Sequence, residues 1–413
     1  MAAIVMRNLD TKIMTVADAE YWARRRLPKA LVQGLEVGPP GPTFGRNLAA
    51  FEEIRLTPRA GVFNARRDLR TTVLGHEISM PTMIAPTGNI RVIHPDGEPG
   101  VARAAGAAGI IHCVSTLTGY PIETITAAAT GPVFFQVYFV GGRDNVEANI
   151  DRAQRAGCQA LVITIDSAAR PLARYGVWER AYLPAAKDVR SALRFLPQLA
   201  RRPVWTRDFL RDGMNIDAAM VKGPDGRPLT IPQAASLLPV EVPVWEDLAW
   251  IGEQWRGPII VKGVLTAQDA RRAVDLGASA IVVSNHGGHM LPSSPPTMRV
   301  LPEIVDAVGD QAEILLDSGI RRGEDVVKAV SLGARAVLIG RGYLWAHAAA
   351  GQAGVRRILE VFRHGIDATL ALLGCASVAD LNPSFTDAPG SLFSAVQPTV
   401  RTASLREGDT DGG

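Results

Sequence analysis

Three kinds of residue in this 413-residue chain are placed to do chemistry, and each stands at the end of a short apolar run. His286 follows AIVVSN and opens a paired-glycine turn, which puts an imidazole able to gain and lose a proton near neutral pH at the end of a buried segment. Asp166, closing ALVITID, supplies a carboxylate that can orient such an imidazole as a general base. Lys262 closes IIVK, and a lysine there is expensive to bury unless an anion pairs with it. A carboxylate, a Schiff-base substrate or a reduced flavin with negative charge on its pyrimidine ring would each meet that need. The segments LDSGIRRGEDV and LIGRG set Arg321 and Arg341 beside Gly-rich turns, whose exposed backbone N–H groups and paired guanidinium donors suit a phosphate. Other run ends carry APTG at 85–88, Gln136 and Tyr138, Thr164, Ser284 and Asp317. His286 and His289 have no third ligand of suitable type, so no metal site is predicted.

The elements that must position these residues are legible as an alternation. From about residue 79, aliphatic runs alternate with amphipathic stretches ending in glycine, the pattern of parallel strands joined by crossover helices. Strands are predicted at Met80–Pro86, Ile110–Ser115, Val133–Phe139, Ala160–Asp166, Ile259–Gly263, Ala280–Asn285, Glu313–Ser318 and Ala336–Gly340. Their interiors are apolar on both faces, as strands between a barrel interior and a helical shell must be. Eight units predict an α/β fold, a (β/α)8 TIM barrel, over residues 79–382. An open doubly wound sheet shares the periodicity, but no GxGxxG follows the first strand. Residues 1–78 read as an N-terminal helical extension, with helices at Val16–Arg26 and near Asn47–Ile54 and a Gly/Pro-rich stretch, GLEVGPPGPTFG, between them. A long insert after strand four, about 167–245, is read as a lid or specificity loop, with RSALRFLPQLARRPVW as helix and MVKGPDGRPLT as loop. In the last helix, Val355, Ile358, Leu359, Phe362, Ile366, Leu370 and Leu373 form one core-facing stripe. Residues 383–413 read as a mobile tail.

Composition narrows the partners. Lys plus Arg number 44 against 41 Asp plus Glu, and a net charge of +3 gives no field favouring nucleic acid or an anionic membrane. Three cysteines, Cys113, Cys158 and Cys375, are too few for a disulfide framework and fit a reducing compartment. The N-terminus lacks a signal-peptide core, and no run approaches the roughly 18 apolar residues of a membrane span, so a soluble cytoplasmic protein is expected.

Taken together, the segments AEYWARRRLPKA, ISMPTMIAPTG, HPDGE, FFQVY, ALVITID, IIVKGVLTAQDARRAV, IVVSNHGG, ILLDSGIRRGEDVVKA and VLIGRGYLW resemble the FMN-dependent α-hydroxy-acid oxidase and dehydrogenase family. The likeness spans roughly residues 15–380. It implies FMN across the barrel mouth, with Ala85, Pro86, Thr87, Ser115, Gln136, Thr164, Lys262 and Ser284 around its ring and ribityl chain. Asp317, Gly319, Arg321, Gly340 and Arg341 would surround ribityl and phosphate. It further implies His286 as catalytic base oriented by Asp166, Lys262 stabilising the reduced cofactor, and Tyr138 touching substrate. Oxygen or another carrier would accept the electrons, and a homo-oligomer, a tetramer or larger, is implied.

Departures from that pattern are informative. Family members follow the His-Gly-Gly or His-Gly-Ala with an arginine that clamps the substrate carboxylate; here His289 stands there, followed by Met290-Leu291-Pro292. A tyrosine usual after LPK falls at Gly34, and a second carboxylate-binding arginine aligns with Ala173, leaving Arg174 one step away. The loss of bidentate anchors predicts a substrate that is not a small free 2-hydroxy acid held in the usual manner. VGGRDN, WEDLAWIGEQWRGP, YLWAHAAAGQAGV and HGID are similar to the mycofactocin-maturation branch, which implies oxidation of a carbon–nitrogen centre in a peptide-derived lactam. The expected activity is dehydrogenation of an α-hydroxy or α-amino carbonyl compound, a peptide-derived or natural-product intermediate. Arg174 and His289 are the candidate substrate contacts beside Tyr138. The alternatives are a conventional 2-hydroxy-acid oxidase, a redox-inactive flavin-binding protein, and an aldolase or isomerase using Lys262.

Overall fold

The computed structural model describes residues 8–36, 41–88, 90–168, 196–238 and 242–388. Eight parallel strands close into a barrel in sequential order: β1 (Thr82–Ile84), β2 (His112–Ser115), β3 (Val133–Val137), β4 (Ala160–Thr164), β5 (Ile259–Val264), β6 (Ala280–Val283), β7 (Glu313–Leu316) and β8 (Ala336–Ile339), with β8 returning to β1. All eight expected strands are present. Most are shorter than their apolar runs, because the residues beyond them leave the ladder to form the loops of the barrel mouth.

Period-two alternation explains how the runs are buried on both faces. Met83, Cys113, Phe134, Val162, Ile260, Val282, Leu315 and Leu338 pack together inside the barrel. Their neighbours Ile84, Val114, Phe135, Ile163, Val261, Ile281, Leu316 and Val337 join the larger core shared with the helices. An antiparallel hairpin, Thr71–Val73 with His76–Ile78, adds Val73 and Ile78 to the interior cluster and plugs the end away from the site.

The helix Val16–Arg26 forms where it is expected, capped by the Thr15 side chain, which accepts from the Asp18 amide at 3.1 Å. A further helix, Lys29–Glu36, runs into the Gly/Pro-rich stretch. The next begins at Pro42 and ends at Glu53, several residues earlier than the apolar pattern suggests, because proline suits the first turn of a helix. The last helix, Arg341–Leu373, bends at Ala350 and Gly351 and buries the whole expected stripe.

The described part of the insert after β4 carries regular elements. A helix, Pro203–Arg211, is tied to the helical shell by Arg26–Asp208 and Arg91–Asp212 ion pairs, each at 2.8 Å, and by the Trp205 indole donating to the Val92 carbonyl at 2.9 Å. The segment read as a loop, MVKGPDGRPLT, instead lies in an antiparallel hairpin, Asp217–Lys222 with Pro228–Thr230, that leads into the helix Ile231–Leu237. Its Pro-Asp-Gly signal belongs to the turn, where Gly226 has a φ of 75°. Of the helix expected at 190–205, residues 190–195 lie outside the described residues, as do Ala173, Arg174 and the tail beyond 388. The short strand Thr386–Asp387 pairs with Arg55–Leu56. Among the described residues no helix is long and apolar enough to cross a membrane.

Three histidines are buried outside the barrel interior, His94 and His347 in the helical shell and His112 on β2, the rings of His94 and His347 lying 5.4 Å apart. Burial, reinforced by the Arg26 charge for His94 and by neighbouring histidines for the other two, lowers each from 6.5 to about 3. The unfolded chain therefore binds protons that the folded chain refuses. Their contribution to stability is intact above pH 6.5 and falls as pH drops from there to about 3, by on the order of 1 kcal/mol per histidine per pH unit. Denaturant midpoints should drop between pH 7 and pH 5, and His347→Leu should flatten that drop; equal slopes in the two proteins would show that His347 titrates freely in the folded state.

Candidate active site

The alternation that fills the barrel also builds the site. Two residues on from each inward apolar side chain comes the next inward position: Ala85, Ser115, Gln136, Thr164, Lys262, Ser284, Asp317 and Gly340, one from each strand in turn. This ring is mostly polar and lies on a dry apolar floor. Its members bond to one another. Ser115 Oγ donates to Gln136 Oε1 at 3.0 Å and Gln136 Nε2 donates to Thr164 Oγ1 at 3.0 Å. Lys262 Nζ donates to Ser284 Oγ at 3.0 Å and lies 3.2 Å from Asp317 Oδ2. Burial opposes the Lys262 charge, but Asp317 and then Asp166 outweigh it and hold the ammonium above its ordinary pKa. Of the three partners that would justify this lysine, a carboxylate is the one the fold brings to it.

One further step of two along three of the strands reaches Tyr138, Asp166 and His286. His286 Nδ1 donates to Asp166 Oδ1 at 3.0 Å, and His286 Nε2, left with the lone pair, faces the Tyr138 hydroxyl at 3.3 Å. Burial would raise the Asp166 pKa, but the adjoining His286 and Lys262 hold it below its ordinary value. Asp166 has room only because residue 263 is glycine: a Cβ there would sit 2.7 Å from that of Asp166, at a φ of 109°. His286 itself has a φ of 55°, an uncommon backbone for a residue with a side chain.

The turn bearing His286 is braced from the N-terminal segment. Asn47 and Asn285 exchange amide hydrogen bonds at 2.9 and 2.8 Å, and Thr43 Oγ1 donates to the Pro292 carbonyl at 2.7 Å. A Cβ on Gly288 would lie 2.8 Å from the Phe44 amide nitrogen. Arg341 lies over the Phe44 ring at 4.4 Å and donates to the Gly287 carbonyl at 2.9 Å.

A cleft opens above the ring. Ala85, Pro86, Thr87, Ser115, Tyr138, Lys262, His286, His289, Asp317, Gly319, Arg321, Gly340 and Arg341 line it. Gln136, Thr164, Ser284 and Asp166 stand behind that lining and act on it through the bonds above. Gly34, Leu35, Ile231, Ala235, Leu238 and Met290 line the same cleft, so the insert and the N-terminal helices both supply wall. Sequence reasoning did not find Asn47, Thr43, Gly263, or the wall residues of the insert. The Lys-Gly pair at 262–263 was the one readable signal among them.

Arg321 is partly buried in the cleft wall. Its guanidinium donates to the Ile320 carbonyl at 2.9 Å and, among the described residues, meets no carboxylate at ion-pair distance. A cation so placed beside Gly319 and Gly340 suits an anion held in the cleft. With a charged lysine over the barrel floor and an imidazole–carboxylate pair above it, the arrangement is that of a barrel enzyme with a general base and room for an anionic ligand. The chain belongs to the FMN-dependent dehydrogenase family, matching its profile over residues 23–388. It is 44% identical over 375 residues to the pre-mycofactocin synthase of Mycobacterium tuberculosis, covering 90% of this chain and 93% of that protein. Glycolate oxidase 1 of Oryza sativa subsp. indica is 37% identical over 383 residues, covering 91% and 97%. The crystal structure of (S)-mandelate dehydrogenase, a monotopic membrane protein, matches with a TM-score of 0.83 at 34% identity, over 91% of this chain and 100% of that one.

The cofactor is FMN, and the open cation at Arg321 fits its phosphate. Arg321→Leu should weaken FMN binding about 10- to 100-fold, the worth of a charge-assisted contact, read from the fluorescence of FMN released on dilution. Unchanged affinity would mean the phosphate is held elsewhere.

Proposed function

We propose that this FMN-dependent enzyme, one of a family that oxidises α-hydroxy compounds, dehydrogenates an α-hydroxy or α-amino carbonyl compound lacking a conventionally bound free carboxylate. A peptide-derived or natural-product intermediate is the substrate class. The observation that carries this reading is the identity of two cleft residues: Gly34 and His289 stand where the family pattern has a tyrosine and a carboxylate-clamping arginine. Leu35, Ile231, Ala235, Leu238 and Met290 make the surrounding wall apolar. Similarity to a pre-mycofactocin synthase supports a substrate of this kind.

Bound FMN supplies the two-electron acceptor. Ala85, Pro86, Thr87, Ser115, Gln136, Thr164, Lys262 and Ser284 would hold its ring and ribityl chain, and Asp317, Gly319, Arg321, Gly340 and Arg341 its ribityl and phosphate. His286 Nε2 takes the proton from the substrate hydroxyl or amine. Asp166 keeps Nδ1 protonated and stabilises the resulting imidazolium. Tyr138, next to the same nitrogen, orients the substrate heteroatom. Lys262, kept charged by Asp317, offsets the negative charge that builds beside it as the substrate is oxidised. Oxygen or another carrier then removes the electrons.

Anaerobic bleaching of the flavin by panels of 2-hydroxy acids, their amides and cyclic amino amides tests the substrate class. Amides should bleach it fastest; rapid bleaching by lactate or glycolate alone would refute the proposal. His286→Ala should retain FMN and slow bleaching by roughly 10²- to 10⁴-fold, and an unchanged rate would remove His286 as base.

The position of His289 in the cleft favours a second reading, in which its imidazolium replaces the arginine clamp for a conventional 2-hydroxy acid. The protonated form is lost as pH rises, so this reading expects turnover of 2-hydroxy acids to fall as pH passes ~6.5.

A further inference from the structure

We propose that Ser318 is a positioning residue whose hydroxyl ties the Lys262–Asp317 pair to the turn that carries His286. Ser318 follows β7, is 8% exposed and has a φ of 75°, a left-handed backbone in which a glycine would be at ease and a serine is not. Its hydroxyl is used twice: Ser318 Oγ donates to Asp317 Oδ1 at 2.6 Å and accepts from the Gly287 amide at 2.9 Å. The other oxygen of the same Asp317 carboxylate is the one that meets Lys262 at 3.2 Å. Thr297 pins the backbone from the helix behind, its hydroxyl lying 2.8 Å from the Asp317 carbonyl and 3.3 Å from that of Ser318. A closed circuit results, from Lys262 through Asp317 and Ser318 to Gly287 and His286, and back through Ser284, whose Oγ accepts from both Lys262 Nζ and the His286 amide.

Two residues with side chains, His286 and Ser318, therefore hold left-handed backbone on adjacent strand ends, and the Ser318 hydroxyl joins the two turns. Strain of this kind persists where the surroundings over-determine it, and a glycine at 318 would remove it together with the hydroxyl. The arrangement makes sense if the hydroxyl is what is retained. Without it the Gly287 amide loses its acceptor, the turn relaxes, and the His286–Asp166 contact that favours the imidazolium weakens.

The inference rests on His286 being the base but is tested without substrate. In FMN-loaded protein labelled at histidine, the His286 resonance is assigned by its loss in His286→Gln and titrated by NMR. Groups facing His286 are Asp166 and Tyr138 directly, with Lys262, Asp317, His289 and Arg341 lining the same cleft; all are retained in the test variants. Ser318→Gly removes both hydroxyl and strain, and Ser318→Ala removes the hydroxyl and keeps the strain. The expected result is a downward shift of the His286 midpoint by about half a pH unit in both variants, with Ser318→Gly the more stable to denaturant. An unshifted midpoint in Ser318→Gly overturns the proposal, whatever Ser318→Ala does, since the side chain would then serve backbone shape alone. Failure here leaves the role of His286 to be judged by the bleaching rate of His286→Ala.

Discussion

A lysine kept charged over the apolar floor of a closed barrel is the constraint around which this site is arranged. Lys262 is 3% exposed, and burial by itself would lower its pKa. Asp317 at 3.2 Å, with Asp166 adding to it, outweighs that effect, and Ser284 Oγ accepts a hydrogen bond from the ammonium. Because the barrel below is packed with side chains and plugged by a hairpin, these charges act in a medium that screens them weakly. The same dryness would make either partner costly if left alone, so Lys262, Asp317 and their hydrogen-bonding neighbours stand or fall as a unit.

The second requirement is a rigid perch for the imidazole. A turn with three consecutive residues at positive φ, His286, Gly287 and Gly288, would wander if left to itself. It is held from several directions by Asn47, Arg341, Ser318 and Asp166. The segment before the barrel is therefore part of the site: Thr43, Phe44 and Asn47 sit more than 230 residues from the turn in sequence and against it in space. The insert after β4 plays the complementary part. Clamped by Arg26–Asp208 and Arg91–Asp212, it delivers Ile231, Ala235 and Leu238 to the cleft and makes that side apolar.

Much of this was legible in the residues because one rule, alternation along a strand, serves both burial and chemistry. Each apolar run announces a strand, and the polar residue two places past its last inward side chain falls on the rim of the same interior. Gln136, Thr164, Lys262, Ser284 and Asp317, with Tyr138, Asp166 and His286 beyond them, are legible as polar residues at the ends of apolar runs; that they form two successive inward levels is what the structure adds. The hairpin at Asp217–Lys222 and Pro228–Thr230 is not legible in the sequence, since its strands are short and its Pro-Asp-Gly turn dominates the local pattern. In the sequence Ser318 reads as one residue of a glycine-rich turn; its backbone angle, which marks it out, has no trace in residue type.

By itself, the order of amino acids settled the eight-strand alternation, the chemical groups available at the barrel mouth and the substitutions at positions 34 and 289, because these depend on residue type and on periods of two to four residues. Tertiary closure decided who meets whom. Whether Lys262 is satisfied by a carboxylate, whether Asp166 reaches His286, and which wall the insert supplies are set by contacts between segments 50 to 240 residues apart. Such contacts leave no local periodicity; they exist only once the first and last strands pair and bring all eight strand ends around one axis.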